Sequence, residues 1–349
     1  MTTSSAPGKV YLFGEHAVVY GEPAIACAIE RRATVTATAR SDGRLRVEAT
    51  DLTIDGFAVE YGGDLDDAGS VDVDVPRELV AAATGYVEGA IAQARDAADA
   101  PDAGFAVEIE SDLPLGGGLS SSAAVVVAAI DATTRELGVE LSDRDLAERA
   151  YRVERDVQAG GASRTDTFCS AMGGAVRVEG EDRRRIEAPE LPLVVGYDGG
   201  AGNTGELVAG VGALREKYGF ATDTVAAIGD LVRRGEGALE DGALDEVGRL
   251  MDVDHGLLSA LGVSARSLDA MVWAAREGGA RGAKLTGAGG GGCVVALEGR
   301  RAATAGEARA VANGDGGGSG TLDALRYAPE CEQAFRAGLD SEGVRVEGP

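Results

Sequence analysis

Lysine is almost missing from this chain: among 33 basic residues only Lys9, Lys217 and Lys284 are not arginine. Aromatic residues make up 4% of the composition, so the core of a 44% hydrophobic chain has to be built mostly from Ala, Val, Leu and Ile. The four cysteines, Cys27, Cys169, Cys293 and Cys331, are far apart and form no Cys-x-x-Cys pair. That spacing argues against structural disulfides and a zinc site and reads as small buried thiols. No apolar run reaches the length of a membrane span, about 18 residues or more. Residues 1 to 7 are small and polar and lack the basic and apolar blocks of a signal peptide. The expectation is a soluble, cytoplasmic protein with no membrane partner. Positive charge is also short: 58 acidic residues give a formal net charge of −25, which would repel nucleic acid. The acids form no long block but are spread along the chain, as in Asp64, Asp66 and Asp67 or Glu179, Glu181 and Asp182. An evenly acidic surface suits strong salt, where self-repulsion is screened.

The 349 residues leave room for two domains. Short strands are expected at 10–13 and 24–29. Strands at 34–40 and 45–50 flank Asp42-Gly43, which reads as a hairpin turn. Leu79, Val80, Ala83, Tyr86, Val87 and Ala90 recur at helical spacing and predict a helix over 77–94. A strand at 105–110, a glycine loop at 115–119, a helix at 121–137 ended by Gly138, and a helix from Ser142 to about Gln158 follow. Strands at 175–178 and 193–197 enclose a polar connection that predicts a domain boundary, with domains 1–185 and 186–349. Helices near 204–218, 222–235, 242–260 and 265–278 lead into a strand, glycine loop, strand, helix and strand between 281 and 327. The Gly-, Asp- and Ser-rich tract 313–320 reads as a surface loop. Helices and strands mix without strict alternation, which is an α+β pattern.

Four constellations carry chemistry. The first is the run from Asp112 to Ala124, Asp-Leu-Pro-Leu-Gly-Gly-Gly-Leu-Ser-Ser-Ser-Ala-Ala, between a strand and a helix. Such a loop turns backbone N–H groups toward one point, and the helix N-terminus adds positive potential, making an anion cradle. By itself it also reads as a serine-capped tight turn. The second is Lys284-Leu-Thr-Gly-Ala-Gly-Gly-Gly-Gly-Cys293, with more glycine than a hairpin needs; such backbone can approach a ligand closely. In the third, Lys9, Glu15 and His16 interrupt an apolar stretch from Ala6 to Gly21, and buried charges without partners are costly enough to mark a site. In the fourth, Glu154 shares a helix face with Leu146, Ala147 and Ala150, as an edge residue or a metal ligand, and Asp166 follows Gly160-Gly161 in a polar run, by default a turn or cap aspartate.

Together these four motifs resemble the superfamily of galactokinases, homoserine kinases, mevalonate kinases and phosphomevalonate kinases. Within it, Gly14-Glu-His-Ala-Val-Val-Tyr-Gly21, Asn203-Thr204 and Met251-Asp-Val-Asp-His255 look like the mevalonate kinase family. One departure stands out: Ser120 occupies the second glycine of the family's Gly-Leu-Gly-Ser-Ser-Ala. The resemblance implies a two-domain kinase with a left-handed βαβ unit in its N-terminal domain and a ferredoxin-like C-terminal domain. It implies ATP and Mg2+, with mevalonate as the small-molecule substrate, in a homodimer or monomer, while the acidic, lysine-poor composition resembles that of salt-adapted proteins and suggests a salt-loving archaeon. It further implies that Pro114, Gly116, Gly117, Gly118, Leu119, Ser120, Ser121 and Ser122 bind ATP, and that Ser122 and Glu154 hold the metal. Asp166 and Lys9 would be catalytic, and Glu15, His16 and Thr204 would face the substrate. Gly287, Ala288, Gly289 and Gly290 would shape the cleft. Rival readings are a kinase of another alcohol, a diphosphate decarboxylase of the same fold, and an inactive regulatory relative; the last predicts loss of Lys9, Ser122, Glu154 and Asp166, all of which are present.

Overall fold

The computed structural model describes residues 1–49, 57–61, 77–114, 116–158, 162–299 and 320–348. The first half is built on strands β1 (Thr2–Phe13), β2 (Ala24–Arg40), β3 (Leu45–Ala49), β4 (Phe57–Tyr61), β5 (Gly104–Ser111), β6 (Ala175–Glu179) and β7 (Asp182–Ile186). Its helices are α1 (Arg77–Ala97), α2 (Ser121–Glu136), α3 (Asp143–Val157) and α4 (Arg164–Met172). The second half contains β8 (Leu193–Tyr197), helices α5 (Thr204–Lys217), α6 (Gly219–Glu240), α7 (Leu244–Ala260) and α8 (Arg266–Glu277), then β9 (Gly282–Thr286), β10 (Cys293–Leu297), α9 (Thr321–Arg326) and β11 (Gln333–Ala337). A final strand, β12 (Arg345–Val346), returns to the first sheet, opposite Ser4 and Ser5.

The first sheet runs β12-β1-β2-β5-β3-β4, with β6 on β2 and β7 on β6. Strand β2 serves two neighbours in succession: its first residues, 24–27, pair with β6, and 33–40 pair with β5. Helix α2 lies across β1 and β2, with α1 and α3 against it. Its Ser-Ser-Ala-Ala-Val-Val-Val-Ala-Ala-Ile run is buried over most of its surface, and small side chains let it sit close to the sheet. Helix α3 starts where the sequence places it: the Ser142 hydroxyl accepts from the Asp145 N–H at 3.2 Å.

The second sheet is antiparallel throughout, in the order β11-β8-β10-β9. Counted within this half the order is 4-1-3-2, with helices after the first and third strands. This is the expected ferredoxin-like β-α-β-β-α-β plan, its first connection enlarged to four helices.

Several local expectations are corrected. Strands 24–29 and 34–40 are one strand, because the charged Glu30-Arg31-Arg32 segment stays extended beside β1. Asp42-Gly43 does turn the chain, but β2 and β3 do not form a hairpin. Strand β5 inserts between them, antiparallel to β2 and parallel to β3, and Phe105 N–H donates to Arg44 O at 2.9 Å. The polar connection after β6 is itself strand β7; Asp-Arg-Arg-Arg-Ile at a sheet edge shows no apolar alternation to read. Asp166 lies in the first turn of a helix, α4. The expected last strand before 327 is helix α9, and the strand comes later, as β11. The helix expected between 298 and 320, tract 313–319, Gly160-Gly161 and Leu115 lie outside the described residues.

The returning tail is clamped by one arginine. Arg32 donates from Nε to Ser5 Oγ at 2.7 Å and from its terminal nitrogens to Ser5 O at 2.9 Å, to Gly343 O and to the Asp340 carboxylate. Asp340 also accepts from Glu342 and Gly343 N–H, both at 3.1 Å. Removing one partner of a buried pair leaves the other uncompensated. Arg32→Met should therefore destabilise the protein by about 3–5 kcal/mol in chemical denaturation, and Arg32→Met with Asp340→Asn should recover part of that loss.

Candidate active site

A cleft of about 670 Å3 is lined from both halves of the chain. Its floor is the loop between β5 and α2. Gly118 there has φ +80°, and a Cβ on it would lie 3.0 Å from Thr286 O. Gly287, opposite, would meet Gly118 Cα at 3.0 Å. The two glycine loops therefore touch backbone to backbone, which no side chain at these positions allows.

The second loop is braced by a residue that sequence reasoning missed. Asp198, just after β8, accepts from Gly200 and Gly292 N–H, both at 2.8 Å, and from Ser267 Oγ at 2.5 Å. Its local sequence marks only a turn, through Gly200; the partners that brace the second loop come from that distant loop and from α8.

Lys9 reaches the cleft through a register shift in β1 between Pro7 and Lys9. Its N–H donates to Leu119 O at 3.0 Å, and its Nζ lies 3.3 Å from Gly118 O and 3.4 Å from Asp166 Oδ1. Tyr11, two residues on, also faces the cleft. Its ring lies beneath the Lys9 ammonium, 4.1 Å from centroid to nitrogen, and its hydroxyl donates to Asp166 Oδ1 at 3.4 Å and lies 3.1 Å from Ser163 Oγ. Burial and the Asp166 charge push the Tyr11 hydroxyl well above its ordinary pKa, so it remains a donor. A period-two alternation starting from Lys9 was the one sequence signal for Tyr11.

Glu154 is buried on α3, with Oε2 accepting from Gln158 Nε2 at 2.8 Å and Oε1 without a hydrogen-bond partner. Burial and then the Asp166 charge push its carboxyl up to about 7, against hydrogen bonds from Ser122 and Gln158 and the Lys9 charge. Ser120 sits at φ 59°, in the left-handed region that its glycine counterpart would occupy freely, and its buried Oγ has no partner. Among the described residues no group of three His, Cys, Asp or Glu side chains converges as a metal site.

At the other end, Glu15 and His16 line the cleft between β1 and the 3-10 turn Ala17–Tyr20. His16 is strained at φ 61°. A carbonyl only accepts, so His16 Nε2, 2.8 Å from Ala288 O, carries the proton. Burial lowers the pKa of the imidazole, and Nδ1 has no partner. Thr204 opens α5 at the cleft, behind the cap Asn203.

Of the residues singled out in the sequence, Lys9, Glu15, His16, Gly116, Gly118, Ser120, Ser121, Ser122, Glu154, Asp166, Thr204, Gly287 and Ala288 line one cleft. Pro114, Gly117, Leu119, Gly289 and Gly290 stand outside that lining; Gly290, for example, donates its N–H to Val263 O at 2.9 Å.

A glycine cradle at a helix N-terminus, flanked by a lysine–aspartate pair and a buried glutamate between two α+β halves, defines a small-molecule kinase. Family models agree: residues 85–174 match the GHMP kinases N terminal domain and 236–315 match the GHMP kinases C terminal. The chain is 42% identical over 300 residues to a mevalonate kinase of Thermococcus onnurineus, covering 84% of this chain and 88% of that one. It is 43% identical over 303 residues to one of Pyrococcus horikoshii, with the same coverage. The solved Methanococcus jannaschii mevalonate kinase superposes with a TM-score of 0.75 at 27% identity, over 97% of this chain and 98% of that one. The chain belongs to the mevalonate kinase family.

The raised Glu154 pKa has a sign that can be tested. A carboxyl whose pKa is raised on folding stabilises the fold while protonated in both states and loses that contribution as pH rises through the folded value. Without metal, wild type should lose stability relative to Glu154→Gln between about pH 4.5 and pH 7, with a constant gap above, in thermal melts.

Proposed function

We propose that the protein transfers the γ-phosphoryl group of ATP to the 5-hydroxyl of mevalonate, giving 5-phosphomevalonate. The observation that carries this reading is Lys9, whose ammonium lies between Gly118 O and the Asp166 carboxylate, 3.3 and 3.4 Å away. One cation thus joins the phosphate cradle to the group beside the accepting hydroxyl.

Phosphoryl transfer needs in-line positioning and cancellation of charge on the transferring group more than covalent help. The N–H groups around Gly116–Gly118 and the N-terminus of α2 receive the phosphates, with Ser120, Ser121 and Ser122 beside them. Asp166 orients the substrate hydroxyl and accepts its proton as the bond to phosphorus forms. Lys9 pairs with that carboxylate and offsets charge in the transition state. Tyr11 and Ser163 hold Asp166 in place. Glu15, His16 and Thr204 form the mevalonate end.

The residues fit Mg2+: Glu154 Oε1 is buried without a partner, and Ser122 lines the same cleft. Mg2+ is commonly held by one or two carboxylates plus substrate phosphates, so a cluster of three protein acids is not required. Bound there by Glu154 and Ser122, it would draw charge from the β- and γ-phosphate oxygens.

A domain division at 185/186 is supported by β7 ending at Ile186, beside that boundary, with β12 (Arg345–Val346) returning to pair with β1 of the N-terminal sheet. The charge of −25 supports a cytoplasmic protein adapted to strong salt and working without a nucleic-acid or membrane partner.

Asp166→Asn should lower kcat by about 100-fold or more while leaving the fold intact; activity within a few-fold of wild type would remove its assigned role. ATP turnover with mevalonate, followed across KCl concentrations, should rise toward molar salt. No turnover at any salt would overturn the function, and a maximum in dilute buffer would overturn the salt adaptation alone.

A further inference from the structure

Lys284 does not line the cleft, yet it is fully buried directly behind it. Its Nζ donates to the Glu15 carboxylate and, at 2.8 Å, to Leu285 O, and it lies 3.5 Å from Asp254 Oδ2. All three side chains are almost completely excluded from solvent. They come from three places in the chain: the end of β1, helix α7 and strand β9. The next residue on α7 continues the network. His255 Nδ1 accepts from Leu285 N–H at 3.3 Å, and its Nε2 lies 3.2 Å from Asp269 Oδ1.

One ammonium here faces two carboxylates. Burial, offset by Lys284 and reinforced by Glu15, raises the Asp254 pKa, which relieves the excess negative charge. On the cleft side, Glu15 and Glu154 and Asp166 present three carboxylates to the space a substrate must enter. Mevalonate is itself a carboxylate, so an uncompensated Glu15 would repel it. His16, the residue after Glu15, holds a strained backbone that requires support from its surroundings.

Building on the functional reading above, we propose that Lys284 is a positioning residue for the substrate end of the cleft. From behind, it neutralises Glu15 and anchors the Glu15-His16 backbone, so that an anionic hydroxy acid can bind beside Glu15. It touches neither substrate nor ATP. Its effect should therefore fall on the acceptor and spare the nucleotide, which general loosening of the fold would not do.

The test is steady-state kinetics on folded full-length variants, varying mevalonate and ATP separately. Lys284→Met should raise KM for mevalonate about tenfold or more, with KM for ATP within about twofold. Adding Glu15→Gln, which removes the uncompensated charge, should lower KM for mevalonate at least about threefold from the Lys284→Met value, short of full recovery because Glu15 itself lines the mevalonate end. Asp254→Asn removes excess negative charge, so it keeps the test open if Lys284→Met fails to fold; it should leave KM for mevalonate unchanged or lower. Equal changes in both KM values for Lys284→Met, absence of this partial recovery in the double variant, or a tenfold rise for Asp254→Asn would each overturn the proposal. Absence of mevalonate turnover by wild type would instead remove the functional reading on which it rests.

Discussion

The two halves of the molecule meet where glycine backbone touches glycine backbone. Gly118 and Gly287 approach so closely that a Cβ on either would press on the other loop's backbone at 3.0 to 3.2 Å. The phosphate loop is therefore shaped from both sides, by the sheet and helix it connects and by the loop between β9 and β10. That second loop is in turn held by Asp198, whose carboxylate accepts from Gly292 N–H and whose own N–H donates to Gly292 O at 3.1 Å. Tyr11 N–H donates to Thr286 Oγ1 at 2.8 Å, tying β1 to the same junction. Since Lys9 and Glu15 flank Tyr11 in sequence, one contact sets the position of the phosphate cradle and of both ends of the cleft.

Charge is arranged around this junction with economy. The chain carries its basic charge mostly as arginine, and arginines make most of the outer ion pairs, such as Arg183 with Glu148 and Glu181 or Arg233 with Glu22 and Glu179. Two of the three lysines are the buried cations of the cleft region, Lys9 and Lys284. A compact ammonium with three freely oriented donors fits between a carbonyl and one or two carboxylates in a space too small for a guanidinium. Each buried lysine spans a seam: Lys9 joins the phosphate loop to α4, and Lys284 joins the Glu15-His16 turn to α7.

Strain is concentrated at the same places. Ser120 and His16, two of the three non-glycine residues with positive φ among those described, both line the cleft. Each retains a buried polar atom without a protein partner, Ser120 Oγ and His16 Nδ1. Backbone held in this region persists only when packing around it is firm, and at a binding site it leaves polar atoms ready for a ligand.

Much of this was legible in the sequence, and the reason differs from residue to residue. Lys9, Glu154 and Asp166 stood out because charge on an apolar stripe or beside glycine needs an explanation wherever it occurs. The start of α3 was legible because capping is local chemistry. Strand order was not. The turn at Asp42-Gly43 looks like a hairpin, and only the pairing of β5 with both β2 and β3, from more than 50 residues away, separates its two arms. Strand β7 was hidden because an edge strand of Asp and Arg carries no apolar period. Tyr11 had only the period-two alternation from Lys9 as a signal, and the partnership of Lys284 with Glu15 and Asp254 had no local signal at all. By itself the sequence determined the chemistry available: a glycine cradle, two scarce lysines and a few acids at telling positions. Which acid each lysine meets was decided only by tertiary structure, because an ion pair depends on distance in space, and the partners here lie up to 269 residues apart in the chain.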